Sequence, residues 1–212
     1  MSIPGLDFPE RMVIWDTEFT TWKDARKKKW KGVTEEGKPQ YKEIVQFGGI
    51  KIRPHELLKD EGVYVEEMIN IFVKPKFNPK LSDYFTDLTG ITQEIVEKYG
   101  VDFPQALERF TTFANGIPCY AHGGDEHEVD GNCRLRYVRW AHKPPCLDLY
   151  PILDRVLPSP NIGINQYKYV MGTLTKALGI NPPRRPHNAL NDVLNFVDFL
   201  RGLEMKLAQP VH

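Results

Sequence analysis

Val13-Ile14-Trp15-Asp16-Thr17-Glu18-Phe19-Thr20 is the stretch whose reading decides the fold. With Met12 it reads as a β-strand: Val13, Trp15, Thr17 and Phe19 face one way, Ile14, Asp16, Glu18 and Thr20 the other. Asp16 and Glu18 therefore stand side by side on one face. Two carboxylates in that position repel, and one gains a proton unless a cation sits between them. Their neighbours are apolar or β-forming, which is not the composition of a solvated acidic loop. The plainer alternative for the pair alone is two surface acids on an edge strand.

Working outward, Thr21 to Lys42 is polar and basic, with Gly32, Gly37 and Pro39, and reads as a long hairpin connection or an insertion. Glu43 to Ile52 and Gly62 to Val73 are apolar and extended, so the first three strands form an antiparallel meander. A helical half follows. Ser82 to Leu88 is a short helix, Thr92 caps Gln93 to Glu97, and Phe103-Pro104 leads into Gln105 to Asn115 with apolar residues at helical spacing. Ile117 to His122 is a fourth strand, Asp125 to Tyr137 a helix, and Pro145 to Leu149 a short fifth strand. Tyr167 to Leu178 has a helical pattern. The last helix, about Ala189 to Leu207, carries the stripe Leu190, Val193, Leu194, Val197, Leu200, Leu203. Strands, then alternating helices and strands, imply a three-layer α/β domain on a mixed sheet.

Composition narrows the function classes. The chain of 212 residues suits one domain, 1–212, with a full core. No apolar run is long enough for a bilayer, so no membrane partner is expected, and Met1 to Glu10 lacks the basic and apolar segments of a signal peptide. The expected location is cytoplasmic. Twenty-eight basic and 28 acidic residues balance, which argues against a simple basic clamp on nucleic acid. It leaves room for an enzyme that meets phosphate through metal ions held by carboxylates. Charge is concentrated in Arg26-Lys27-Lys28-Lys29-Trp30-Lys31, either a solvated insertion loop or a surface for backbone phosphates. Cys119, Cys133 and Cys146 are too sparse for a disulfide framework. Joined to His122, His127 and His142 they have loosely finger-like spacing, but no close Cys pair anchors a zinc ion and Cys119 sits in an apolar strand.

A second anchor is His187 with Asp192. Five positions apart on a regular helix, two side chains point about 140° from each other. Pro186 disfavours helix just before it and Asn188 is a good N-cap, which puts His187 at N′ and Asp192 at N4. Those positions meet across a first helical turn. A third acid comes from His122-Gly123-Gly124-Asp125-Glu126-His127-Glu128-Val129-Asp130, where glycines let the chain turn sharply after a strand. Asp125 is first after the turn; Glu126 and Asp130 are the reserves.

Together these segments resemble the DEDDh exonuclease superfamily, the DnaQ-like branch of RNase H-like folds. The resemblance rests on the Asp16-x-Glu18 strand, on Glu43-Ile44-Val45-Gln46-Phe47-Gly48-Gly49-Ile50, on Leu88-Thr89-Gly90-Ile91-Thr92 with Ile95-Val96, on Asp102-Phe103-Pro104, and on His187-x4-Asp192. Asn132-Cys133, eight residues after Asp125, and Cys146-Leu147-Asp148-Leu149 suit the Eri-like and KapD-like subgroup. Gly123-Gly124 depart from the large apolar residue often found beside the second-motif Asp, and the basic insertion exceeds the usual turn.

The resemblance implies a five-stranded mixed sheet flanked by helices and a 3′-5′ exonuclease acting on RNA or single-stranded DNA with a free 3′ end. It implies two Mg²⁺ or Mn²⁺ ions held by Asp16, Glu18, Asp125 and Asp192 about 4 Å apart, one activating water and one stabilising the departing 3′ oxygen. His187 is the implied general base, and nucleoside 5′-monophosphates the products. Phe19, Thr20, Gly90 and Ile91 are implied contacts for the terminal nucleotide, with core packing as their alternative; Arg184-Arg185 suit phosphate or a solvated loop. The competing reading is a catalytically silent nucleic-acid-binding module on the same fold, favoured if Asp125 fails to reach the other acids. The resemblance leaves the oligomeric state open.

Overall fold

β1 (Met12–Phe19) lies at the centre of a five-stranded sheet of order β3-β2-β1-β4-β5 in the computed structural model, which describes residues 6, 8–54, 65–159 and 162–207. β2 (Ile44–Ile52) pairs with it antiparallel and β3 (Val65–Phe72) pairs antiparallel with β2, while β4 (Cys119–Ala121) and β5 (Cys146–Asp148) run parallel to β1. The meander and the mixed sheet follow the sequence expectation. The opening of the expected third strand, residues 62–64, lies outside the described residues.

Alternation along β1 feeds two separate cores. Met12 and Ile14 pack under the last helix with Val193, Phe196, Val197 and Leu200. Val13 and Trp15 pack on the opposite face with Phe47, Phe103, Phe110 and Phe113. Burial on both faces explains why this strand and β2 are almost uniformly apolar: each side chain covers one of two helical layers.

The helices are α1 (Asp83–Thr89), α2 (Gln93–Tyr99), α3 (Phe103–Ala114), α4 (Asp125–Arg136), the short α5 (Tyr150–Leu153) and α6 (Ala189–Leu207). Ser82, Thr92 and Asp102 cap the first three, each side chain accepting a backbone N–H three residues on. One expected element differs. Tyr167 to Leu178 is not an α-helix but two 3-10 helices, Gln166–Lys168 and Met171–Leu178. Thr173 and Thr175 weaken α-helix there, and Gly172 is pressed directly against Asp192, an approach that any Cβ would block.

Thr21 to Lys42 is a folded connection between the antiparallel neighbours β1 and β2. Its first part is a run of turns ending in Trp30, and its second a small hairpin bridging Val33 and Pro39. Distant bonds pin it: Ser82 Oγ donates to the Thr21 carbonyl (2.5 Å) and Tyr41 N–H donates to Asn78 Oδ1 (2.7 Å). Beneath it Glu43, fully buried, accepts the backbone N–H groups of Lys76, Phe77 and Asn78 and pairs with Arg136 at 2.6 Å. Among the described residues no helix is long and apolar enough to cross a membrane.

Candidate active site

The exit of β1 carries Asp16 and Glu18 toward the N-terminus of α6. A pairing irregularity with β2 falls between Glu18 and Phe19, where a local kink re-aims side chains. Carboxylate oxygens of Asp16, Glu18 and Asp192 lie within 4.8 Å of one another. No other group of three or more His, Cys, Asp or Glu among the described residues comes together in this way. The cysteine and histidine set that loosely suited zinc is thus not assembled, and Cys119, Cys133 and Cys146 are free thiols, all pushed up by burial and so protonated.

Asp192 sits where the capping argument put it. Asn188 caps α6, its Oδ1 accepting the Asn191 N–H at 3.4 Å, and the first helical bond runs from Asp192 N–H to the Asn188 carbonyl. The residue before the cap, His187, adopts φ +62° and turns its backbone N–H onto Asp192 Oδ1 at 3.0 Å. Behind this corner Gln46, fully buried, accepts the Ala189 N–H at 2.8 Å and donates to Asn188 and Asn70. The start of α6 is thereby fixed to β2.

Asp125 is the first residue of α4. Gly123, at φ +125°, makes the turn from β4, and Gly124 caps the helix without a side chain. The Asp125 Oδ1 accepts both the backbone N–H (2.9 Å) and the hydroxyl (2.6 Å) of Thr17, which lies between Asp16 and Glu18. Its charge acts on Asp16, Glu18 and Asp192. The reserves face elsewhere: Glu126 and Asp130 both pair with Lys143.

Electrostatics of the cluster follow from burial and like charge. Burial first, then Asp125, Asp192 and Glu18, hold the Asp16 carboxyl well above its ordinary range. Glu18 is raised by burial, Asp192 and Asp125. Burial pushes Asp125 up to about 6 against the bonds from Thr17, and Asp192 up to about 7 against those from His187 and Asn188. Burial lowers His187, which keeps its imidazole neutral at pH 7. The three crowded carboxylates, with Asp125 outside that close group but lining the same cleft, are reluctant to ionise together and suit divalent cations, whose charge removes the repulsion.

All five residues line one cleft of about 580 Å³, with Phe19, Tyr84, Leu88, Tyr150 and Met171 among its other walls. Of the four residues expected at the terminal nucleotide, Phe19 lines this cleft. Thr20, 2% exposed, gives its hydroxyl to the Tyr41 carbonyl and accepts the Glu43 N–H. Gly90 ends α1 beside the Arg185 guanidinium, and Ile91 packs in a small core with Val45, Leu81, Phe85 and Val96. Arg185 donates to the Asp87 carbonyl and Arg184 pairs with Asp198. Two residues in the cleft were not expected there, Thr17 beneath Asp125 and His122 against the Tyr150 ring at 4.1 Å, and the basic run weighed as a phosphate surface brings Arg26 and Trp30 into it.

Comparison with known proteins bears on this geometry. The RNase_T family, described as exonuclease, matches residues 13–200. The chain is 33% identical over 216 residues to ERI1 exoribonuclease 2 of Xenopus laevis, covering 89% of this chain and 27% of that protein. It is 33% identical over 198 residues to 3′-5′ exoribonuclease 1 of Rattus norvegicus, covering 84% of this chain and 53% of that protein. The chain thus spans about a quarter to a half of these relatives. Among solved structures, the nuclease domain of 3′hExo, a DEDDh family member bound to rAMP, superposes with a TM-score of 0.66 at 22% identity, covering 92% of each chain. A second, the 3′-exonuclease recognising the histone mRNA stem-loop, gives 0.67 at 21% identity, covering 96% of this chain and 67% of that one.

Proposed function

We infer the chemistry of this chain from one premise: it belongs to the RNase_T exonuclease family. It is a 3′-5′ exonuclease that hydrolyses the terminal phosphodiester of RNA or single-stranded DNA and releases nucleoside 5′-monophosphates, with residues 1–212 as a single exonuclease domain. One observation carries the reading: four carboxylates from β1, α4 and α6 share a cleft with a neutral imidazole.

Asp16, Glu18, Asp125 and Asp192 would hold two Mg²⁺ or Mn²⁺ ions, of which the oxygen-only donor set fits either. Bound there, the ions supply positive charge at the attacking water and at the departing 3′ oxygen. The protein's own part is positioning and proton transfer. Thr17 fixes the orientation of Asp125 through two bonds to its Oδ1. The Asn188 cap fixes Asp192, and His187, held by its backbone bond to that same carboxylate, has an unprotonated ring nitrogen to take the proton of the attacking water. Phe19 and Leu88, on the cleft wall, are placed to pack against the terminal base and sugar. The ribonucleases among the relatives favour RNA as the substrate.

The test is stepwise shortening of 5′-labelled single strands of RNA and DNA, with Mn²⁺ or with EDTA. Shortening from the 3′ end that EDTA stops, and that Asp16→Ala and His187→Ala each abolish while the fold survives, is expected. An Asp16→Ala protein with full metal-dependent activity would falsify the assignment. Binding of the strands without shortening would support the silent module instead.

A further inference from the structure

We propose that Arg26, carried into the cleft by the 21–42 insertion, binds a backbone phosphate of the single strand one or more nucleotides upstream of the phosphodiester being cut. The proposal rests on the exonuclease reading above and adds a second anchoring point to it.

The insertion is built to present this residue. Ala25, 1% exposed, is its buried foot, and the Ala25 carbonyl accepts the Trp30 N–H at 2.9 Å, closing the turn that holds Arg26. Asp24, Lys29 and Trp30 all adopt positive φ, at 64°, 50° and 55°. A bulky residue such as Trp30 takes that conformation only where its surroundings impose it, and such positions gather at functional sites. Here the indole N–H donates to the Thr20 carbonyl at 3.0 Å, directly after β1, and the ring meets Phe19 edge-on with centroids 5.7 Å apart. The turn is thus fastened to the strand that carries Asp16 and Glu18.

Arg26 is the cation this arrangement leaves available. It lines the same cleft as the four carboxylates. Lys42, the other Lys or Arg there, is paired with Glu128 and lies 3.8 Å from the Phe19 ring centroid. Among the described residues, the Arg26 guanidinium makes no hydrogen bond and no ion pair, so it stands beyond ion-pair distance of the four acids. Its charge is felt instead at Tyr150, on another wall of the cleft. An exposed guanidinium offset from the carboxylates matches a phosphate adjoining the one over them. Guanidinium also makes forked bonds to phosphate oxygens, which suits a mobile single strand. Lys28 and Lys29, exposed beside it, continue the positive surface outward along the insertion.

A dinucleotide has one phosphodiester and nothing upstream; a decanucleotide of the same base has both. The experiment compares kcat/KM on the two with Mn²⁺ present, for wild type, Arg26→Ala and Arg26→Lys. Arg26→Ala should lower the decanucleotide-over-dinucleotide preference about tenfold, through KM, and reduce the salt slope of log KM by about 0.7, the share of one single-strand phosphate contact. Arg26→Lys, which keeps the charge, should recover most of both. Wild-type preference and salt slope in Arg26→Ala would overturn the proposal. So would an equal loss on both substrates, since that places the effect at the cut phosphate or in the fold. Wild-type protein that shortens neither substrate overturns the exonuclease reading itself, and the proposal with it.

Discussion

Replacing Gly172 with Ala should disable the site without unfolding the protein. Gly172 is the second residue of the 3-10 helix Met171–Leu178, and a Cβ there would stand 2.0 Å from Asp192 Oδ1, 2.4 Å from Cγ and 2.8 Å from Oδ2. All three atoms are inside 3.0 Å, a separation real Cβ contacts essentially never show, so rotating the carboxylate gives no relief. The 3-10 segment is not free to retreat, because Asn195 Nδ2 donates to the Gly172 carbonyl at 3.1 Å and Met171 and Leu174 are buried in the α6 core. Asp192 must therefore shift by on the order of 1 Å, a misplacement that costs about 100-fold in rate when it falls on a catalytic group. The overpacking itself costs about 1–3 kcal/mol, a fall of several degrees in Tm for a domain of this size. The assay is kcat on a single-stranded RNA at saturating Mn²⁺, with the Mn²⁺ midpoint and Tm measured alongside. We expect kcat down about 100-fold, a raised Mn²⁺ midpoint and retained circular dichroism. Wild-type kcat and midpoint in a folded Gly172→Ala protein would refute the reasoning, since the reaction would then tolerate a displaced Asp192.

Three other outcomes follow from the same geometry. Asp125 and Asp192 titrate at about 6 and about 7 in the folded protein, above the ordinary 3.8, so the folded state binds more protons than the unfolded one between those values. Stability of EDTA-treated protein should therefore be fullest below about pH 4 on their account and fall as pH rises toward 7. Thermal melts should show a shallower decline in Asp192→Asn than in wild type, since Asp125 still contributes, and Mn²⁺ should reverse the decline in wild type. Gln46→Leu strands the buried Ala189 N–H at the start of α6 and removes the donor to Asn188 and, on β3, to Asn70; a loss of about 2 kcal/mol by urea unfolding is expected. Glu43→Ala leaves Arg136, whose side chain is 5% exposed, without its carboxylate partner and with only Asn132 accepting from it, and should cost about 3–5 kcal/mol in the same measurement.

What could be read from the sequence was what local periodicity and capping encode. Asp16 and Glu18 share a face because strands repeat every two residues, and Pro186 with Asn188 placed the α6 start to the residue, bringing His187 to Asp192. Signals that depend on distant partners stayed hidden. The Thr17 bond to Asp125 spans 108 positions, and the turn through Trp30 returns to the cleft only because the Thr20 carbonyl lies in reach. The 3-10 form of Met171–Leu178 had the same cause: its apolar spacing resembles an α-helix, and only the approach of Gly172 to Asp192 reveals why the backbone tightens. Thr20 and Ile91 show the converse. A family motif named them as substrate contacts, but here their side chains serve the insertion anchor and the small core behind α1.

Crystals soaked with Mn²⁺ and a nucleoside 5′-monophosphate, measured at the manganese absorption edge, examine the metal site itself. Two anomalous peaks about 4 Å apart, ringed by Asp16, Glu18, Asp125 and Asp192 with His187 beside them, are the predicted result. Manganese bound elsewhere, or none among those four carboxylates at saturating concentration, would contradict the account.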